Sequence, residues 1–146
     1  MVGEGWHARA GGPHAEVVAL QQAGERARGA SAYVTLEPCA HHGRTPPCAD
    51  ALIEARVGRV VTAMQDPNPQ VAGRGLQRLA QAGIEVSCGV LESDARSLNA
   101  GFIKRMEQGL PFVRVKLAMS LDGRTAMASG DSLWITGPAA RSAVQR

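Results

Sequence analysis

Apolar positions along this chain follow two rhythms. Short runs rich in β-branched residues, SAYVTL at 31–36, VGRVVTAM at 57–64 and IEVSC at 84–88, predict three strands. Between them, HAEVVALQQAGERA at 14–27, PPCADALIEAR at 46–56 and GLQRLAQAG at 75–83 place apolar residues three and four apart, which predicts helices. Pro46 and Pro47 suit a first helical turn, where a missing N–H costs nothing, and Gly83 suits a carboxyl cap. Strands that alternate with helices predict a sheet of parallel strands with helices on its faces.

The stretch SDARSLNAGFIKRMEQG (93–109) predicts one more helix, starting near a Ser93 cap, with Ala95, Leu98, Phe102 and Met106 along one face. Gly109 and Pro111 stop it. Beyond them Val113, Val115 and Leu117 alternate with Arg114 and Lys116, a strand pattern, and Asp122-Gly123 is a hairpin-turn signal. A second unit is therefore expected from residue 110, and a segment below about 40 residues rarely closes a core of its own. At the other end VGEGWH (2–7) reads as the end of a strand entering a loop with no hairpin partner before it, so both ends read as cut.

With 146 residues, 45% hydrophobic and 20% charged, the chain has the size and composition of one ordinary globular domain, which excludes disordered and fibrous classes. It contains neither an apolar run of about 18 residues nor a charged-then-apolar leader, so no membrane partner and a cytoplasmic location are expected. The net charge of +3 is spread along the chain. Such a field suits a small phosphorylated ligand better than a nucleic-acid duplex. Two Trp, two Phe and one Tyr are too few for a base-stacking platform. Three cysteines, an odd number, argue against a disulfide framework and leave metal binding or catalysis.

The segment EPCAHHGRTPPC (37–48) concentrates that chemistry. Catalytic zinc takes three protein ligands and keeps a fourth position open, and His14, Cys39 and Cys48 supply imidazole and thiolate donors. Cys48 follows Pro46-Pro47 at a helix amino terminus, whose partial positive charge favours a thiolate. Glu16, two residues after His14, is placed to take a proton from a zinc-activated water and deliver one to a leaving amine. A histidine, a glutamate two residues on and a later Pro-Cys form the general pattern of zinc nucleobase deaminases. This chain departs from it by placing eight residues between its cysteines.

The segments GWHARAGGPHAEVVAL, TLEPCAHHGRTPPC, DPNPQVAGRGLQRLAQAGIEV and VKLAMSLDGRTAMASGDSLWITG, in that order, closely resemble the bifunctional deaminase–reductases of riboflavin biosynthesis (the RibD/RibG type). The resemblance implies a cytidine deaminase-like three-layer α/β/α sandwich over residues 1–109, without its first helix and strand. The first strands of a dihydrofolate reductase-like domain would follow over 110–146. It implies zinc-dependent removal of an amino group from 2,5-diamino-6-(5-phosphoribosylamino)pyrimidin-4-one, with Glu16 catalytic and His14, Cys39 and Cys48 holding one Zn²⁺. His7, His41, Arg44, Asp66 and Asn68 match substrate-contacting positions, which agrees with the donors that a phosphate and a pyrimidinone edge require. Lys116, Ser132, Trp134 and Thr136 match positions that meet substrate or NADPH in the reductase half. NADPH is expected to serve the full-length reductase domain only, and reductase activity is expected to be absent from these residues. A homo-oligomer is compatible with the sequence.

Two other readings stand beside this one. A cytidine or tRNA-adenosine deaminase would favour two residues between the cysteines. A purely structural zinc would need a fourth protein ligand, for which His41 or His42 are the candidates. Cys88, closing an apolar strand, is expected to be an inert core residue. Gly73-Arg74-Gly75 reads more simply as a loop entering a helix than as a phosphate cradle.

Overall fold

The computed structural model describes residues 1–132 and 134–144. Its sheet has three parallel strands in the order β1 (Ser31–Val34), β2 (Arg59–Thr62), β3 (Glu85–Cys88). Ala32 pairs with Val60 and Val60 with Val86, so apolar side chains of the same parity share one face. Against that face pack α1 (Ala15–Ala23), α2 (Cys48–Glu54) and α3 (Arg74–Gln81). Ala49 and Leu52 from α2, Leu79 from α3, and Val57, Val60 and Ile84 form the main buried cluster, with Leu20, Val34 and Val86 at its rim. The parallel α/β expectation holds; α1 and α2 run a few residues shorter than their apolar patterns, and α3 nearly matches its own.

On the opposite face, Arg59 and Glu85 are register partners joined by a 3.3 Å ion pair, Arg59 also donates to Ser87 Oγ at 3.2 Å, and Tyr33 is exposed. A smaller cluster of Met64, Ala95 and Ile103, with Leu36 and Ala63, seats two further helices by the carboxyl ends of β1 and β2. These are α4 (Glu92–Leu98) and α5 (Ala100–Gln108). Their sequence predicts one continuous helix, but Asn99 leaves helical geometry and its side-chain amide donates to the Ala95 carbonyl at 2.9 Å. Asparagine competes in this way with the helical ladder. The break rotates Leu98 out to solvent, while Ala95 and Ile103 remain buried. Helix α4 is entered from Leu91 and has no side-chain cap from Ser93.

Two compact units are present, Met1–Phe112 and Val113–Arg146. In the second, Asp122-Gly123 forms the expected turn: Gly123 N–H donates to Ser120 O, and Ser120 N–H to Arg124 O, both at 2.9 Å. The alternating residues 113–117 form no strand ladder among the described residues, and Val113, Val115 and Leu117 are exposed. A strand needs a partner for its main-chain groups, and alternation alone does not supply one. A short helix α6 (Pro138–Ala143) has its proline at the first helical position. Residues 2–7 likewise form no strand; they run along α1, where a Cβ on Gly5 would stand 2.4 Å from the Ala15 carbonyl oxygen. Cys88, expected in the core, is exposed at the last residue of an outer strand. Among the described residues no helix is long and apolar enough to cross a membrane.

Leu79 has no accessible surface and touches both helices and sheet through its cluster. Leu79→Ala is expected to lower unfolding stability by about 2–5 kcal/mol. Urea titration should show a lower midpoint at unchanged slope.

Candidate metal centre

Four chain segments converge beside the carboxyl ends of β1 and β2, the usual site of function in sheets of parallel strands. Helix α1 begins after His14 and carries Glu16 in its first turn; the loop after β1 brings Cys39; helix α2 begins with Cys48; the loop after β2 brings Asp66 and Asn68. His14 Nδ1 lies 3.2 Å from Cys48 Sγ and 3.7 Å from Cys39 Sγ. One ligand atom from each of the three residues lies within 4.8 Å of the others. Around a tetrahedral zinc, nitrogen and sulfur donors stand about 3.6 Å apart, so these spacings fit the ion closely.

The imidazole is held from both sides. Its Nε2 faces Thr45 Oγ1 at 3.5 Å, and an Nε2–H donated there leaves the Nδ1 lone pair directed at the sulfurs. His7 packs edge-on against the same ring at 5.1 Å between centroids, anchored by its Nδ1 at 3.0 Å from the Pro13 carbonyl oxygen. Thr45 went unremarked in the sequence, where a threonine between Arg and Pro carries no ligand signal.

The two thiols share their environment unequally. Cys39 is lowered to about 5, first by the hydrogen bond from Cys48 and also by the Cys48 backbone N–H, which donates to Cys39 Sγ at 3.3 Å. Cys48 is pushed above the ordinary thiol range, first by that same side-chain bond and then by burial. Helix-terminal stabilisation expected at Cys48 is thus delivered to Cys39, because the first amide of α2 points at the neighbouring sulfur. A divalent cation between the sulfurs removes the need for a shared proton, and two thiolates with one imidazole are a donor set suited to zinc.

Glu16 is half-buried, and burial raises its carboxyl above the usual range, partly opposed by its own backbone N–H and by His14. Asp66 is also raised, first by burial and further by the charge of Glu37, while the Asn68 backbone N–H, which donates to Asp66 Oδ1 at 2.8 Å, and His41 pull it down. Arg44 is exposed and lies beside the loop at Gly11, where an added Cβ would meet its Cδ at 3.7 Å. His41 and His42 are exposed, and the candidate metal cluster among the described residues does not include them.

Gly73-Arg74-Gly75 is where the loop enters α3, as the sequence reads, and its amides have a further use. The buried Glu37 carboxylate accepts the N–H groups of Gly73 at 2.8 Å, Gly75 at 2.8 Å, Leu76 at 3.3 Å and Asp66 at 3.1 Å. The amides that could cradle a phosphate are already occupied by a side chain of the protein. Gly75 is required there, because a Cβ would lie 1.8 Å from the Pro38 carbonyl oxygen.

In the second unit Ser132 Oγ donates to Thr125 O at 3.0 Å and Trp134 stacks under the Arg141 guanidinium at 4.1 Å. Arg141 also donates to the Thr136 carbonyl oxygen, and Lys116 is exposed. Ser132 lines a pocket together with Ser120, Arg124 and Ile135.

Comparison with known proteins accords with this geometry. Residues 1–64 match the family described as the cytidine and deoxycytidylate deaminase zinc-binding region, and residues 111–146 match the RibD C-terminal domain. Over 145 residues the chain is 70% identical to the riboflavin biosynthesis protein RibD of Escherichia coli, covering 99% of this chain and 40% of that protein. The structure of Acinetobacter baumannii RibD superposes with a TM-score of 0.91 at 66% identity, covering 99% of this chain and 40% of the other. A Thermotoga maritima structure, described as a diaminohydroxyphosphoribosylaminopyrimidine deaminase/5-amino-6-(5-phosphoribosylamino)uracil reductase, gives 0.87 at 42% identity, covering 99% and 42%. Fold and site together define a zinc-binding domain of the cytidine deaminase class. Over 99% of its length the chain is similar to RibD riboflavin-biosynthesis proteins, and it spans about two fifths of the relatives it matches.

In zinc-free protein, Cys39 is expected to be alkylated by iodoacetamide at pH 6, where an ordinary cysteine of pKa about 8.5 is almost wholly thiol. The reaction should fade as pH falls through 5, when the sulfur takes up its proton. Stoichiometric zinc should suppress it throughout, as followed by peptide mass spectrometry.

Proposed function

We propose that the chain carries the deaminase activity of the RibD family, releasing ammonia by hydrolysis from a phosphorylated diaminopyrimidine. The observation that carries this reading is the convergence of His14, Cys39 and Cys48, with Glu16 in the first turn of α1 and electrostatically in contact with all three. Zinc held by those three residues would supply Lewis acidity and activate water at its open position. Glu16, made more basic by burial, takes a proton from the attacking water and returns one to the departing amine; the C–N bond breaks, a carbonyl replaces the amino group, and ammonia leaves. Asp66 and Asn68 would read the pyrimidine edge, His7 and His41 would flank the ring, and Arg44 would meet the ribose phosphate. The eight residues between the cysteines provide that last contact, which a two-residue spacing has no room for.

Residues 1–109 are on this reading the deaminase domain and 110–146 the beginning of a reductase domain. Lys116, Ser132, Trp134 and Thr136 would meet substrate or NADPH only once the remainder of that domain surrounds them. Their separate environments here accord with that. A small-molecule partner and a cytoplasmic location belong to the same reading, and a second copy of the chain is compatible with it.

The purified chain is expected to release ammonia from the diaminopyrimidine phosphate and not from cytidine, while leaving NADPH unoxidised. Glu16→Gln should reduce the rate by about 10²–10⁴-fold with zinc content unchanged. Turnover of cytidine alone would overturn the substrate, and undiminished activity of the glutamine variant would overturn the role of Glu16.

A further inference from the structure

Glu37 is 3% exposed, an expensive place for a carboxylate unless its lone pairs are occupied. Among the described residues its four side-chain hydrogen-bond partners are all main-chain amides. They come from two places: Asp66, in the loop after β2, and Gly73, Gly75 and Leu76, where the chain enters α3. Glu37 also donates its own N–H to Met64 O at 3.0 Å, extending the pairing of β1 with β2 past the ends of the strands. Its neighbour Pro38 lies against Gly75 so closely that a Cβ there has no room. Cys39 follows directly. One side chain therefore ties the segment bearing a metal ligand to the turn in which Asp66 accepts from the Asn68 amide. Leu36 and Met64, in the smaller apolar cluster, bring the two segments together just before this point, and Glu37 carries the link onward through hydrogen bonds.

We propose that Glu37 is a positioning residue, which sets the Asp66–Asn68 turn relative to Cys39 so that the pyrimidine-reading groups and the metal centre address one substrate. The inference rests on the function proposed above and deepens it. Glutamine at this position keeps the shape but turns one acceptor oxygen into an N–H₂ group facing amide N–H donors, which frees part of the turn while leaving His14, Cys39 and Cys48 in place.

The test uses the whole zinc-loaded chain. Glu37→Gln is expected to keep its zinc, to raise KM for the diaminopyrimidine phosphate at least about tenfold, and to leave kcat within about threefold, the signature of lost uniform binding. In an Asn68→Ala background the same change should raise KM by less than about threefold, because the two residues act through one turn. Full additivity with Asn68→Ala, or a fall in kcat at unchanged KM, would overturn the proposal. Glu37→Asp, which keeps the charge but withdraws the oxygens from the amides they hold, should reproduce the KM rise and the non-additivity. It decides the question if Glu37→Gln does not fold. Should the parent chain fail to turn over the pyrimidine, the functional reading falls, and amide hydrogen exchange still judges Glu37. Faster exchange at both Asp66 and Gly75 with α2 unchanged supports the clasp; acceleration everywhere, or at neither, refutes it.

Discussion

Two sulfur atoms and a ring nitrogen pressed into one small volume are the constraint around which this fold is arranged. Without a cation the two thiols must divide a proton, and the resulting imbalance is visible in the opposite displacements of Cys39 and Cys48. With a cation both can be thiolates, and the imidazole completes three corners of a tetrahedron. The sequence spends heavily on that point. Two prolines precede Cys48, a third precedes Cys39, and a threonine and a second histidine hold the ring of His14.

The sheet explains how segments so far apart in sequence arrive together. Parallel strands end on the same side, so the loops after β1 and β2 emerge as neighbours, and helices α1 and α2 begin there because each packs back along the same apolar face. Helix α2 works at both levels. Its Leu52 is buried in the main cluster, its first side chain is a metal-ligand candidate, and its first amide is given to the other sulfur. A change that shifted the packing of α2 would therefore reach both cysteines at once.

What could be read from the residues follows from where each kind of information resides. Metal-binding chemistry belongs to side-chain type, so His14, Cys39 and Cys48 stand out once their spacing is noticed, and the three strands follow from β-branched runs whose partners are all present. Glu37 was invisible because its partners are main-chain amides, which look alike at every position, and because those amides belong to residues 29 to 39 positions later. The apolar rhythm of 93–109 ran through Asn99 because it registers which faces are greasy and ignores a side chain that bonds to its own backbone. Residues 113–117 show the alternation of a strand, but pairing is a property of two segments, and one segment's pattern cannot report whether the other is at hand. Cys88 was misplaced for a related reason: its strand is apolar, yet it ends at an outer position of the sheet.

The bare backbone at Gly5 bears on access to the site. With no side chain toward α1, residues 2–7 lie flush on that helix, and the next two positions, Trp6 and His7, are delivered to the mouth of the site, the histidine against the ring of His14 and the indole left in solvent. Residues 2–7 consequently form a wall beside the ring of His14. Its position is set by an omitted methyl group, whose presence would lift the whole segment away from the helix that carries Glu16.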